Sequence, residues 1–385
     1  MLDPRITFLN HGSFGAVPRP VFDAQTEWRR RIEAEPIELI SPSRRGTELL
    51  EQVKTAVGSF LNMRPDDFGL VTNATDGINA VLRSLRFAPG DELLTTTHVY
   101  NAVRQAMKYA AGQQGAAYRE VHVPLPVQSS EQIAGIVLGS LSSRTRLLVI
   151  DHVTSPTALI FPVQRIAAEC AARGVEVLID GAHAPGMLDL DVPATGATYY
   201  AGNLHKWCCA PKGSGFLWVH PSRQRDIHPL IVSHHLGEGF VPEFGWQGTR
   251  DLSAWLTIPT ALEYMALIGW ADIRQHNNRL ARWAHTLLAE RLQVPLLSPA
   301  DGSLLGSMAT VPLPKPLHSV TEQEAHALQR NIYHKQQLEV PFMKWEGKNY
   351  LRVCAQVYNS PEQYERTAEL IQRLARSETS HMSHP

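Results

Sequence analysis

Val177-Leu-Ile-Asp-Gly-Ala-His-Ala-Pro-Gly186, followed by Tyr199-Tyr-Ala-Gly-Asn-Leu-His-Lys-Trp207, is the stretch from which the fold can be read. The first part is an apolar β run that delivers Asp180 at its carboxyl end. A second short run, Ala197 to Ala201, delivers Asn203, His205 and Lys206. Ala210-Pro-Lys-Gly-Ser-Gly215 and the apolar run Phe216-Leu-Trp-Val219 come next, so the lysine falls on a tight loop between two strand-like segments. Burial on such a loop strips an amine of its proton and makes it nucleophilic. An acid at one strand end and a nucleophilic lysine after the next are what pyridoxal phosphate chemistry requires. The amine forms an imine with the cofactor aldehyde. The carboxylate keeps the pyridine nitrogen protonated, so the ring can accept electrons from a substrate carbanion. Taken singly, each residue has a plainer explanation. An Asp at a strand end is more often a turn former, and a lone Lys is usually solvated surface.

Outward from this stretch, short apolar runs alternate with helical patterns. Glu92 to Thr96, Arg146 to Ile150, Val175 to Ile179 and Gly215 to Val219 read as strands. Ala102 to Gly112 and Val163 to Arg173 read as helices, the second closed by Gly174. This alternation predicts an α/β domain with a mostly parallel sheet and ligands beyond the carboxyl ends of its strands, where Asp151, Asp180 and Lys206 all fall. A single long helix is expected over Ile258 to Arg291. Pro-rich punctuation, a strand-like Tyr350 to Ala355 and a last helix over Pro361 to Arg376 complete a smaller α+β domain. The expected divisions are an N-terminal segment over 1–20, a large domain over 21–260, a small domain over 261–376 and a disordered tail over 377–385.

A second signal is Leu70-Val-Thr-Asn-Ala-Thr-Asp-Gly-Ile-Asn79. An apolar run ends in small polar residues and opens a helix of apolar period. The free N–H groups of that helix start, with the Thr75 hydroxyl, make an anion site. An ordinary N-cap by Asn73 or Thr75 would explain the same residues alone. Beside the acid and lysine, a cofactor phosphate accounts for them better.

Composition narrows the partners. The 385 residues exceed the usual span of one core. Lys plus Arg number 36 against 37 Asp plus Glu, a balance that gives no reason to expect nucleic acid or membrane as partners. The 4 cysteines lack CxxC spacing and form no disulfide framework, and the 17 histidines are scattered without HExxH spacing, so no metal site is expected. Met1-Leu-Asp-Pro-Arg5 lacks the basic and apolar regions of a signal peptide, and a cytoplasmic location is expected.

In order, Leu9-Asn-His-Gly-Ser-Phe-Gly15, Val17 to Phe22, Asp151-His-Val-Thr-Ser-Pro-Thr157, Asp180 to Gly186, Ala201 to Trp207 and Gln247-Gly-Thr-Arg-Asp-Leu252 resemble the class V aminotransferase family of fold-type I pyridoxal phosphate enzymes. The likeness is greatest to its isopenicillin N epimerase-like members. It runs from about residue 8 to the final helix. It implies pyridoxal 5′-phosphate as cofactor and a large domain on a mostly parallel seven-stranded sheet flanked by helices. It also implies a homodimer with shared active sites and a small amino acid-type substrate.

The resemblance further implies roles. Lys206 matches the imine lysine, Asp180 the partner of the pyridine nitrogen and His183 a group near the phenolic oxygen. Ala74, Thr75, Asn203 and His205 match phosphate contacts. Tyr100 matches the position of a ring-stacking residue and can also donate a proton to one face of a carbanion. Gly248 and Thr249 match a loop that reaches the partner subunit's phosphate. Arg352 matches the arginine that grips the substrate α-carboxylate. Asn10 and His11 are placed to approach substrate from the N-terminal segment.

Three departures carry information. Tyr333 to Tyr350 contains no cysteine, which disfavours persulfide chemistry, and Cys354 is expected to be a packing residue. Ser155 stands where many class V members have an asparagine near the ring oxygen, a change that the epimerase-like members share. Ser233 to Trp246 is compact where antibiotic-forming epimerases are expected to carry a longer insertion. The expected function is therefore chemistry at the α-carbon of an amino acid. Epimerisation through a Lys206 imine leads; a C–S lyase of the ergothioneine-pathway type and a transaminase are the alternatives. A non-catalytic pyridoxal phosphate-binding protein is the reading from another class.

Overall fold

Apolar runs as continuous as those around Asp180 make strands when both faces of the sheet are covered. The computed structural model describes residues 1–382, with side chains through residue 376. Its strands are β1 (Thr7–Phe8), β2 (Phe68–Val71), β3 (Glu92–Thr96), β4 (Ala117–Val121), β5 (Thr145–Asp151), β6 (Glu176–Gly181), β7 (Tyr199–Asn203), β8 (Gly215–Val219), β9 (Met308–Pro312), β10 (Leu338–Glu339), β11 (Phe342–Trp345) and β12 (Lys348–Cys354). Seven form one sheet in the order β2-β8-β7-β6-β5-β3-β4, parallel except at β8, which runs antiparallel to both neighbours.

Successive residues of these strands feed two separate cores. Leu148, Ile150, Val177, Ile179, Phe216 and Trp218 pack on one side. Leu147, Val149, Leu178, Leu217 and Val219 pack on the other. The helices Ala74–Ser84, Asn101–Gln114, Ser130–Gly139 and Val163–Ala172 lie between the parallel strands in sequence. Strand order reverses between β3 and β5, which opens the crevice where such sheets bind ligands. Asp151 and Asp180 lie side by side at the ends of β5 and β6.

A further core is built on the antiparallel sheet β11-β12-β9. It takes in Ala284 and Leu288 of the helix Trp270–Leu292, with Ile332, Leu351, Val353, Tyr364 and Ile371. The N-terminal segment belongs with it. Leu9 is part of this core, and β1 pairs in parallel with β10.

Two expectations are corrected. The helix expected over Ile258 to Arg291 is two helices, Ile258–Ile268 and Trp270–Leu292. Gly269 between them has φ +98°, a conformation open to glycine, while the apolar period continues on both sides and hides the break. The last helix runs from Pro361 to Met382, so residues 377–382 of the tail expected to be disordered are helical. Residues 383–385 lie outside the described residues.

The N-terminal turn His11–Phe14 ends at Gly15, whose φ is +71°. A Cβ there would collide with the His205 carbonyl oxygen. Gly15→Ala is therefore expected to destabilise the protein by about 1–3 kcal/mol. A lower denaturant midpoint at unchanged slope checks this; an unchanged midpoint would show that the segment yields without cost.

Candidate active site

The loop after β7 reverses tightly and carries Lys206 at its apex. Leu204 N–H donates to the Ser214 carbonyl at 3.0 Å, and Cys209 N–H donates to the Lys206 carbonyl at 3.1 Å. From the N-terminal turn, His11 Nε2 donates to that same Lys206 carbonyl at 3.0 Å. The ε-amine enters a pocket of about 470 Å³ lined by Thr75, Tyr100, Asp151, Asp180, His183 and Asn203, among others. Burial, with the nearby Arg352 charge, pulls its pKa from the usual lysine value to about 8. The amine is thus readily deprotonated near neutrality.

Next to Lys206 Nζ, at 3.2 Å, is Nε2 of His183. The other ring nitrogen, Nδ1, accepts from Trp207 Nε1–H at 3.3 Å. Burial holds the His183 pKa well below the ordinary histidine value, reinforced by the charges of Lys206 and Arg352.

Asp180 is buried, and burial raises its pKa; the Ala182 N–H, 2.9 Å from Oδ1, and the Lys206 charge oppose that rise. Asp151 is pushed higher still by burial and by Asp180 beside it. Two adjacent carboxyls in a dry site do not both ionise. Asp151, raised the more, is the one of the two that keeps its proton to the higher pH. Asp151 Oδ2 has no hydrogen-bond partner among the described residues.

At the other end of the pocket, the helix Ala74–Ser84 points its first turn inward. Asn73 caps it, its side chain accepting from Asp76 N–H at 3.0 Å. Asn203 Oδ1 accepts the Ala74 N–H at 2.8 Å, so this pair shapes the turn. Thr75, His205 and Lys212 line the pocket beside it. His205 Nδ1 donates to the Ser214 carbonyl at 3.2 Å, and burial brings the ring's pKa down to about 4.

Arg352 on β12 is 2% exposed. Its Nη1 donates to the Ser155 carbonyl at 2.8 Å and to the Ser155 hydroxyl at 3.1 Å. Its Nη2 donates to Asn10 Oδ1 at 3.3 Å and to Ser13 Oγ at 3.2 Å. All of these acceptors are neutral, and Nε has no partner among the described residues. Among the described residues no carboxylate pairs with this buried guanidinium, so its charge is left without a counter-ion there.

The structure brings Lys206, Asp180, His183, Tyr100, Thr75, Asn203, His205 and Ser155 to one pocket. Asn10 and His11, expected to approach substrate, both have partners within the chain. Both His11 nitrogens are engaged, by the Lys206 carbonyl and by the Tyr358 hydroxyl at 2.8 Å. Asn10 is held between Arg352 and Glu339, to which its amide donates at 2.8 Å. His11 thus contacts the Lys206 backbone and Asn10 the Arg352 side chain. Gly248 and Thr249 lie away from the chain's own Lys206 pocket. Thr249 lines a neighbouring groove that shares Thr75 and Lys212 with it, and Gly248 borders a small cavity beyond.

Three residues carry more than their sequence context suggested. Ser13 completes the Arg352 cradle, and Lys212, which donates to the Gly15 carbonyl at 3.3 Å, is the pocket's cation at the helix start. Asp151 was legible only as a strand-end acid. Cys354 is buried, accepts the Gly12 N–H at 3.2 Å and packs with Met308 and Trp207.

This donor set fits pyridoxal 5′-phosphate. Asp180, with the unpartnered Asp151 oxygen behind it, suits the ring nitrogen, and Lys206 suits the aldehyde. The helix start with Thr75, His205 and Lys212 suits a phosphate.

The model of the family Aminotransferase class-V matches residues 8–365. The isopenicillin N epimerase of Streptomyces clavuligerus is 32% identical over 390 residues, covering 97% of this chain and 96% of that protein. An L-cysteine desulfhydrase of Arabidopsis thaliana is 31% identical over 404 residues, covering 96% and 88%. Among solved structures, the cystine C–S lyase C-DES in complex with its reaction product cysteine persulfide superposes with TM-score 0.79 at 21% identity, covering 96% and 97%. The apo cysteine desulfurase of Thermococcus onnurineus does so with TM-score 0.79 at 18% identity, covering 97% and 95%. Both share the fold. With the family model matching residues 8–365, and with the epimerase and the desulfhydrase alike over nearly their whole length, the chain belongs to the class V aminotransferase family of pyridoxal phosphate enzymes.

Proposed function

We propose that the protein acts at the α-carbon of an amino acid or amino acid-containing substrate, with epimerisation as the leading outcome. The observation that carries this is Arg352, a buried guanidinium with neutral partners, close enough to Lys206 for its charge to lower the lysine's pKa. Its neutral partners Ser13 and Ser155 line the Lys206 pocket, which suits a seat for an α-carboxylate at that wall. When bound, pyridoxal phosphate supplies the electron sink for the charge left on the α-carbon. Lys206 then serves twice, as the amine that anchors the cofactor and as the group that takes the α-proton at Nζ. Asp180, whose ionised form is favoured by the Ala182 N–H and the Lys206 charge, keeps the pyridine nitrogen charged. Tyr100 is 45% exposed and lines both the Lys206 pocket and the adjoining entrance, which suits a group that returns a proton from a second direction.

A C–S lyase is the second reading. It is favoured by relatives named as cysteine desulfhydrases at 30–31% identity, and it needs only the single base Lys206. Transamination shares the same first step. We further propose that the working unit is a cytoplasmic homodimer. Ile231 and Val232, 52% and 58% exposed, leave apolar surface beside the groove of Thr249, and the four free cysteines suit a reducing compartment.

Four experiments test this reading. Lys206→Ala should lose the borohydride-reducible attachment of pyridoxal phosphate; retention with full activity would place the anchoring amine elsewhere. In the wild-type apoprotein, that attachment should speed up with pH around a midpoint near 8, where burial sets the amine, and a midpoint above 10 would contradict a desolvated lysine. Arg352→Ala should raise KM for α-carboxylate substrates by roughly 10- to 100-fold, leaving α-amides unaffected. Holoenzyme incubated with amino acids in D2O decides the branch: α-deuteration with loss of optical purity supports epimerisation, release of pyruvate with sulfide supports the lyase, and neither would sink both readings.

A further inference from the structure

We propose that Trp207 is a positioning residue that fixes the tautomer of His183, so that the proton-bearing nitrogen of that ring faces Lys206. The inference rests on Lys206 as the anchoring amine and assigns a role to its sequence neighbour.

An indole N–H donates and has no acceptor capacity. Trp207 is 1% exposed, so its N–H has to find an acceptor within the protein. That acceptor is His183 Nδ1 at 3.3 Å. Nδ1 must therefore present its lone pair. His183 is buried beside Lys206 and Arg352, which keep the ring neutral. A neutral imidazole carries one N–H, and with Nδ1 committed that proton resides on Nε2. Nε2 is the atom 3.2 Å from Lys206 Nζ.

An Nε2–H can donate to the lone pair of a free amine but has nothing to accept from an ammonium. The lock therefore favours the neutral, nucleophilic form of Lys206. The opposite tautomer would set two N–H groups against each other at the indole and turn a lone pair toward the lysine, stabilising its ammonium. Consecutive residues of one turn thus engage the two nitrogens of a single ring. His11, packed on Trp207 with ring centroids 4.9 Å apart, holds the indole in place.

Long-range proton–nitrogen spectroscopy of the histidine rings in the apoprotein tests this directly, with His183 assigned by its loss in His183→Gln. Wild-type protein should show Nε2 protonated and Nδ1 bare; Trp207→Phe should show a mixture. In the same variant, the pH midpoint for condensation of the Lys206 amine with the pyridoxal phosphate aldehyde, which releases water, should rise by about one unit, a roughly tenfold drop in free amine at pH 7. In a His183→Gln background, Trp207→Phe should move that midpoint no further, whereas a purely structural effect would move it in both backgrounds. A protonated Nδ1 in the wild type, or an unmoved midpoint in Trp207→Phe, overturns the proposal. If Trp207→Phe does not fold, the wild-type ring spectrum alone decides. If Lys206 forms no bond with the cofactor, the proposed function fails while the ring spectrum still judges the tautomer.

Discussion

Desolvation of the Lys206 amine is the constraint on which the rest of this site depends. An ammonium in a dry pocket is costly, and among the described residues no carboxylate is in direct contact to offset that cost. The nearest partner is instead a neutral histidine at 3.2 Å. The protein tolerates this because the loop is clamped from outside the pocket. Its backbone is bonded to Ser214 and to the His11 ring, and Gly15 packs where any side chain would strike His205. These contacts hold the backbone, which leaves the side chain free for chemistry.

The same logic appears at the two charged ends of the site. Asp180 beside Asp151 makes that neighbour the harder of the two to ionise, and Arg352 is left a cation among neutral oxygens. Each is incomplete in a defined sense. The acid pair lacks a partner for Asp151 Oδ2, and the arginine lacks a counter-ion. A cationic ring nitrogen and an anionic α-carboxylate would complete them.

Much of this was legible beforehand. Asp180 and Lys206 stand at strand ends because apolar runs stop there, and a run buried on both faces is visible in any chain. The roles of Asn10 and His11 were not. Their partners are residues hundreds of positions away, and nothing local distinguishes a histidine that binds substrate from one that holds a carbonyl. The Gly269 break was hidden for a related reason. Apolar period persists across it, and a single glycine is compatible with a continuous helix.

By itself, then, the sequence determined the alternation of strands and helices, the acid and lysine that face one another, and the family whose chemistry they serve, since these follow from local periodicity and short motifs. Tertiary structure alone decided that Asp151 and Asp180 are buried side by side, that Arg352 has only neutral partners among the described residues, and that Trp207 and Lys206 grip opposite nitrogens of His183. Those outcomes depend on burial and on distances between remote residues. A group's charge state is set by what surrounds it in space, and one-dimensional order does not contain that information.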